Sequence, residues 1–255
     1  MTSSLSVQGL FAGYGRTTIL KDVSMEVATG ERHVVIGPNG AGKTTFFRSL
    51  CGEVPAMAGR ILFEGRDVTA LAGFRRVRAG IGRSFQVARI FGEMTPVENV
   101  VVAIEARAPE NSHGRPSLRV RPRLETVDEA AAMLADLGLD PREASPATIL
   151  SHGDKKRLEL AMMLALRPRL LLLDEPTAGM ASGDRRASVR LVERIVRETG
   201  ATLVLTEHDM DVVFQIGTRI SVLHYGEIVA SGTPDEVRAN AFVRDIYLGR
   251  GGRHG

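Results

Sequence analysis

A chain of 255 residues, 44% of them hydrophobic, holds enough apolar material for one large α/β domain or two small ones, so disorder is not the default. Its 33 basic and 30 acidic residues nearly cancel, and a net charge of +3 sets up no field strong enough to imply a nucleic-acid partner. The single cysteine, Cys51, allows no internal disulfide, the polar start Met1-Thr2-Ser3-Ser4 lacks a signal-peptide core, and no apolar run approaches the roughly 20 residues of a membrane span, so the chain is expected in the cytosol with any membrane role supplied by a partner.

Residues 5–10 and 19–27 alternate polar and apolar side chains, which predicts half-exposed antiparallel strands at the start of the chain. Residues 33–36, 170–173 and 203–205 are short apolar runs without alternation, each followed by small polar residues and then a helical pattern. That succession predicts a largely parallel sheet covered by helices. Between Pro96 and Pro168 the composition favours helix, including residues 125–137, where Val127, Ala131, Leu134 and Leu137 share one face. A helical insertion within one α/β core is expected there. Residues 106–123 carry Pro, Gly, Ser, Asn and arginines at 107, 115, 119, 121 and 123; they read as a solvated surface loop, or as a contact with a partner or with membrane headgroups. Residues 250–255 read as a frayed tail, and no repeat of 20 to 50 residues is found.

The segment Gly37-Pro38-Asn39-Gly40-Ala41-Gly42-Lys43-Thr44-Thr45 follows a predicted strand and precedes a helical pattern, the context a phosphate-binding loop requires. Its glycines let the backbone turn tightly and bring N–H groups against phosphate oxygens, and the following helix aims its positive end at the same anion. Lys43 supplies a cation for the β- and γ-phosphates, and the Thr44 hydroxyl suits Mg2+, a hard ion. Downstream, Asp174 and Glu175 emerge from a hydrophobic run at the sheet edge where α/β folds bind ligands. Asp174 is the candidate for Mg2+ through its water shell, and Glu175 for orienting or deprotonating the attacking water.

A third motif lies between these two. Leu150-Ser151-His152-Gly153-Asp154 is similar to the LSGGQ signature of the ABC ATPases, and with it the chain resembles that family from about residue 5 to 248. Ser151 offers a hydroxyl, Gly153 permits close approach, and a helix starting here points its N-terminus at phosphate, with Leu158, Met162, Ala165 and Leu166 expected on its buried face. The resemblance implies a P-loop nucleoside-triphosphatase fold of α/β class, with a RecA-like core containing a mixed sheet, an N-terminal antiparallel β subdomain and an inserted α-helical subdomain. It divides a single cassette, residues 1–255, into a core at about 5–86 and 168–232, a helical part at about 87–167 and a helical tail at 233–255.

Further residues take their roles from the resemblance. Tyr14 matches the aromatic that stacks on adenine, and Gln86 the glutamine that senses Mg2+ and the attacking water. His208 matches the histidine that hydrogen-bonds the γ-phosphate, and the segment from Thr177 through Met180 to Asp184 matches the loop that communicates across the dimer. The catalytic set is thus Glu175, His208, Gln86 and Lys43. The nucleotide set is Tyr14, the whole loop from Gly37 to Thr45, and Ser151, His152 and Gly153 from a second molecule; the metal set is Thr44, Gln86 and Asp174. His152 replaces the usual glycine, as is familiar in importers of branched-chain amino acids, and Glu207-His208-Asp209-Met210 with Gly232-Thr233-Pro234-Asp235 point to the same branch. The implied protein binds ATP and Mg2+ on the cytoplasmic face of the inner membrane. Its partners would be integral membrane permease subunits, a second ATPase subunit (the same chain or a relative) and, indirectly, a solute-binding protein. ATPases of urea uptake or lipopolysaccharide export stay open as alternatives, as does a soluble ABC ATPase acting on ribosome or DNA, disfavoured by the single cassette and weak basic charge.

Overall fold

The computed structural model describes residues 3–84, 89–107, 122–178 and 182–248. Two long strands, β1 (Ser3–Tyr14) and β2 (Thr17–Ala28), pair antiparallel from Ser3 opposite Ala28 to Tyr14 opposite Thr17. The chain then crosses into a second sheet as β3 (Arg32–Ile36) and returns as β4 (Ala56–Phe63) and β5 (Arg66–Asp67), so the first sheet has the order β2-β1-β4-β5. The expected alternation holds in β2, where Leu20, Val23, Met25 and Val27 are buried between exposed neighbours. It fails in β1: Ser4 and Ser6 are as buried as Leu5 and Val7, because β1 lies between β2 and β4, and Ser6 donates its hydroxyl to the Glu26 carboxylate.

The second sheet takes β6 (Ile81–Arg83), β7 (Leu170–Asp174), β8 (Thr202–Thr206), β9 (Arg219–His224) and β10 (Glu227–Gly232) in the order β10-β9-β3-β8-β7-β6. The five strands from β9 to β6 are parallel and β10 is antiparallel to β9. The apolar runs lack alternation because both faces of this sheet are covered. Side chains of alternate residues enter different cores: Val34, Leu171, Leu173, Leu203 and Leu205 join one cluster with the following helices. Val35, Leu170, Leu172 and Val204 meet Phe46, Phe47 and the first sheet in another.

The helices are α1 (Lys43–Leu50), α2 (Gly73–Arg78), α3 (Pro96–Ala106), α4 (Leu124–Asp136), α5 (His152–Ala165), α6 (Ser182–Thr199), α7 (Met210–Ile216), α8 (Pro234–Ala239) and α9 (Ala241–Leu248). In α4, Ala130 and Leu134 are fully buried and Leu137 closes its end, close to the predicted face. In α5 the face differs from expectation. Leu158, Ala161, Met163 and Ala165 are buried, while Met162 and Leu166 line a cavity of about 480 Å³. The cause is that α5 packs against α3, α4 and β6 together, so burial is not confined to one stripe.

Two helices begin with reciprocal caps. The Thr95 hydroxyl accepts from the Glu98 N–H (3.2 Å) while the Glu98 carboxylate accepts from the Thr95 N–H (2.8 Å), and Thr233 with Glu236 repeats the device at α8. Arg76 is a buried guanidinium that donates to the carbonyls of Ser49 and Leu50 (both 2.7 Å) and Thr69 (2.8 Å), closing the C-terminal end of α1. Of the predicted arginine loop, Arg107 ends α3 and grips Glu129 through two bonds (2.9 and 3.1 Å); residues 108–121 lie outside the described residues. Burial pushes the Cys51 thiol up to about 12, so it stays protonated and unreactive. No helix among the described residues is long and apolar enough to cross a membrane.

Candidate active site

Because β3, β8 and β7 are parallel neighbours, their carboxyl ends bring the loop after Ile36, the pair Asp174-Glu175 and the pair Glu207-His208 to one edge of the sheet. The loop after β3 is shaped by its glycines. Gly40 and Gly42 hold φ of 81° and 108°, and a Cβ on Gly37 would lie 2.3 Å from the Leu223 carbonyl oxygen. The space beside Gly40 is open, so its freedom serves the turn and leaves room for a ligand. Lys43, the first residue of α1, is buried and donates through Nζ to the carbonyls of Gly37 (2.6 Å) and Pro38 (3.2 Å). Burial depresses its ammonium, and the neighbouring carboxylates of Glu175 and Asp174 oppose that effect. Thr45 is buried, and Thr44 presents its side chain to solvent at the open start of α1.

The acidic side is fixed by one hydroxyl. Thr206 Oγ1 donates to Asp174 Oδ1 (2.7 Å) and accepts from the Glu175 N–H (3.0 Å), which also lies 3.2 Å from the Thr206 carbonyl oxygen. Glu175 is held at a φ of 47°, in the left-handed region that a non-glycine residue occupies at a cost of about 1–3 kcal/mol. His208 is exposed, with Nδ1 4.0 Å from Glu175 Oε2 and 3.9 Å from Glu207 Oε2. Lys43, Asp174, Glu175 and His208 therefore converge at this edge of the sheet.

Other predicted residues stand apart. Tyr14, half-exposed at the end of the β1–β2 hairpin, adjoins α1 because Arg48 donates to its hydroxyl (3.3 Å). Ser151 caps α5: its hydroxyl accepts from the Asp154 N–H (3.1 Å) and donates to Asp154 Oδ2 (2.7 Å). Ser151, His152 and Gly153 are exposed, and no hydrogen bond among the described residues joins them to the phosphate loop of their own chain. Gly153 shares a small crevice with Glu175 and Lys156. Gln86 and Met180 lie outside the described residues. Thr206 and Glu207 were not anticipated, although both immediately follow the predicted strand at 203–205, where the edge geometry would have placed them.

A glycine-rich loop between a central parallel strand and a helix, facing two acids from the adjoining strands, defines a P-loop nucleoside triphosphatase. A family model described as "ABC transporter" matches residues 20–178, and another described as "Branched-chain amino acid ATP-binding cassette transporter" matches residues 227–253. The chain belongs to the ABC transporter family and is an ATP-binding cassette, an ATPase. It is 36% identical to LivG of Escherichia coli K12, the high-affinity branched-chain amino acid transport ATP-binding protein, over 96% of this chain and 97% of that one. It is 34% identical to LptB of Acidithiobacillus ferridurans, the lipopolysaccharide export system ATP-binding protein, over 98% of both chains. Among solved structures, it resembles the ADP conformation of an ATP-binding cassette of an ABC transporter with a TM-score of 0.83 and 29% identity, covering 98% of this chain and 100% of that one.

Proposed function

We propose that this chain is the ATP-hydrolysing subunit of an importer for branched-chain or related amino acids, working as a pair beneath membrane permeases on the cytoplasmic face of the inner membrane. The observation that carries the reading is the convergence of Lys43, Asp174, Glu175 and His208 at one sheet edge while Ser151 and Gly153 are exposed on a separate helix start. Each half of the site needs the other half from a second molecule. The matched model at residues 227–253 and the identity to LivG support the solute class.

In this reading the loop from Gly37 to Thr45 wraps the phosphates, Tyr14 stacks on adenine, and Lys43 leaves its loop carbonyls for the β- and γ-phosphates. Glu175 accepts a proton from the attacking water, and His208 donates to the γ-phosphate. Ser151, His152 and Gly153 of the second copy close the far side. Thr44 and Asp174 are hard oxygen donors that would hold Mg2+ together with its waters and the substrate phosphates, with Gln86 as a further ligand. When bound, Mg2+ neutralises charge building on the transferring phosphoryl group. The remaining catalysis is positioning and electrostatics, supplied by groups that the sheet edge already aligns.

We further assign residues 87–167 to a helical subdomain that transmits closure, with the core at 5–86 and 168–232 and the tail at 233–255. The 480 Å³ groove between the two parts, lined by exposed Phe74 and Phe91 and by Met162, fits an apolar segment of a permease's cytoplasmic loop. Export of lipopolysaccharide is the second reading, favoured by the identity to LptB. A strain lacking this chain decides between them: uptake of radiolabelled leucine, isoleucine and valine is expected to fall and to return with the wild-type gene but not with Glu175→Gln. Unchanged uptake together with a loss of surface lipopolysaccharide would support export.

A further inference from the structure

Glu207 is a fully buried carboxylate for which the mechanism above has no use. Buried charge is retained only where partners compensate it. Here Oε1 accepts from both the N–H (3.1 Å) and the hydroxyl (2.6 Å) of Thr177, and Oε2 accepts from the N–H of His208 (3.1 Å). One side chain thus ties the turn after Glu175 to the backbone of His208. A third element meets it there: Lys156 of α5 donates to the Ala178 carbonyl (3.0 Å), and the charges of Glu159 and Glu207 oppose the effect of burial on its ammonium.

We propose that Glu207 is a positioning residue for hydrolysis, a strap that holds Glu175 and His208 in one rigid relation. The inference rests on the roles given to Glu175 and His208 under the proposed function. Its physical basis is the strained backbone of Glu175, a conformation that persists only where the surroundings over-determine it. The Glu175 N–H is anchored to Thr206 on one side, and two residues on, Thr177 is anchored to Glu207. Removing the second anchor lets the strained turn relax and carries the Glu175 carboxylate away from its line to His208.

The test is a double-mutant cycle on the full chain. Glu207→Gln keeps the shape but replaces one acceptor oxygen by an amide donor, so either Thr177 or His208 loses its bond. Turnover is expected to fall about 10- to 100-fold, the worth of a charge-assisted hydrogen bond. The ATP concentration for half-maximal rate should move by no more than about twofold. In the Glu175→Gln background the same change should cost less than about twofold more, since the strap acts by holding that carboxylate. Wild-type turnover in Glu207→Gln, or full additivity with Glu175→Gln, overturns the strap. Wild-type turnover in Glu175→Gln alone would instead remove the role given to Glu175. If Glu207→Gln does not fold, Thr177→Val removes one donor and Thr177→Ser keeps it: the first should lose turnover and the second retain it, and equal activity in both overturns the proposal.

Discussion

Replacing Glu175 by Gln is expected to lower ATP turnover by roughly 10²- to 10⁴-fold, the usual contribution of a positioned general base, while ATP still binds. The substitution changes little volume and leaves untouched the backbone N–H that bonds Thr206, so the turn keeps its shape. It removes one of the two carboxylates beside Lys43, which frees that cation for phosphate and should hold or tighten ATP affinity. Phosphate release at saturating MgATP measures the loss, and titration with a fluorescent ATP analogue measures the retained binding. Undiminished hydrolysis would take Glu175 out of the reaction.

Lys43→Ala should act one step earlier, on binding. The ammonium is buried within the loop and already bonds the carbonyls of Gly37 and Pro38, so it is pre-positioned where phosphate arrives. Its loss removes a charge-assisted contact of about 1.5–3 kcal/mol and leaves Asp174 and Glu175 uncompensated beside an anionic ligand. Weakening of ATP affinity by about 100-fold is expected in the same titration, from that energy and the added repulsion. An unchanged dissociation constant would contradict the loop's assignment.

The parts of the fold that were legible in the sequence are those written in local patterns. Strands β3, β7 and β8 stood out as short apolar runs because a sheet covered on both faces has no polar side to interrupt them, and α4 was placed to within a residue by its spacing. The phosphate loop was legible because its glycines do a local job. What escaped depends on residues far apart in the chain. Ser4 and Ser6 looked like the polar face of β1 until β4 arrived from 50 residues away to cover them. Nothing in Arg75-Arg76-Val77-Arg78 marks Arg76 as the buried member, since its acceptors lie at Ser49, Leu50 and Thr69. Thr206 and Glu207 became partners of Asp174, Glu175 and Thr177 only through the pairing of β7 with β8. The caps of α3 and α8 are a different case. Both spell Thr-Pro-x-Glu, at Thr95 and Thr233, a signal readable locally.

The central claim is that a nucleotide held by one molecule's glycine loop is closed over by the Ser151 turn of another. The direct measurement is the mass of the Glu175→Gln protein in solution, by sedimentation or light scattering, with and without MgATP. A monomer that becomes a dimer on adding ATP, and fails to do so when Ser151 is replaced by Arg, is the predicted result. A protein that binds ATP yet keeps the same mass at every concentration would contradict it.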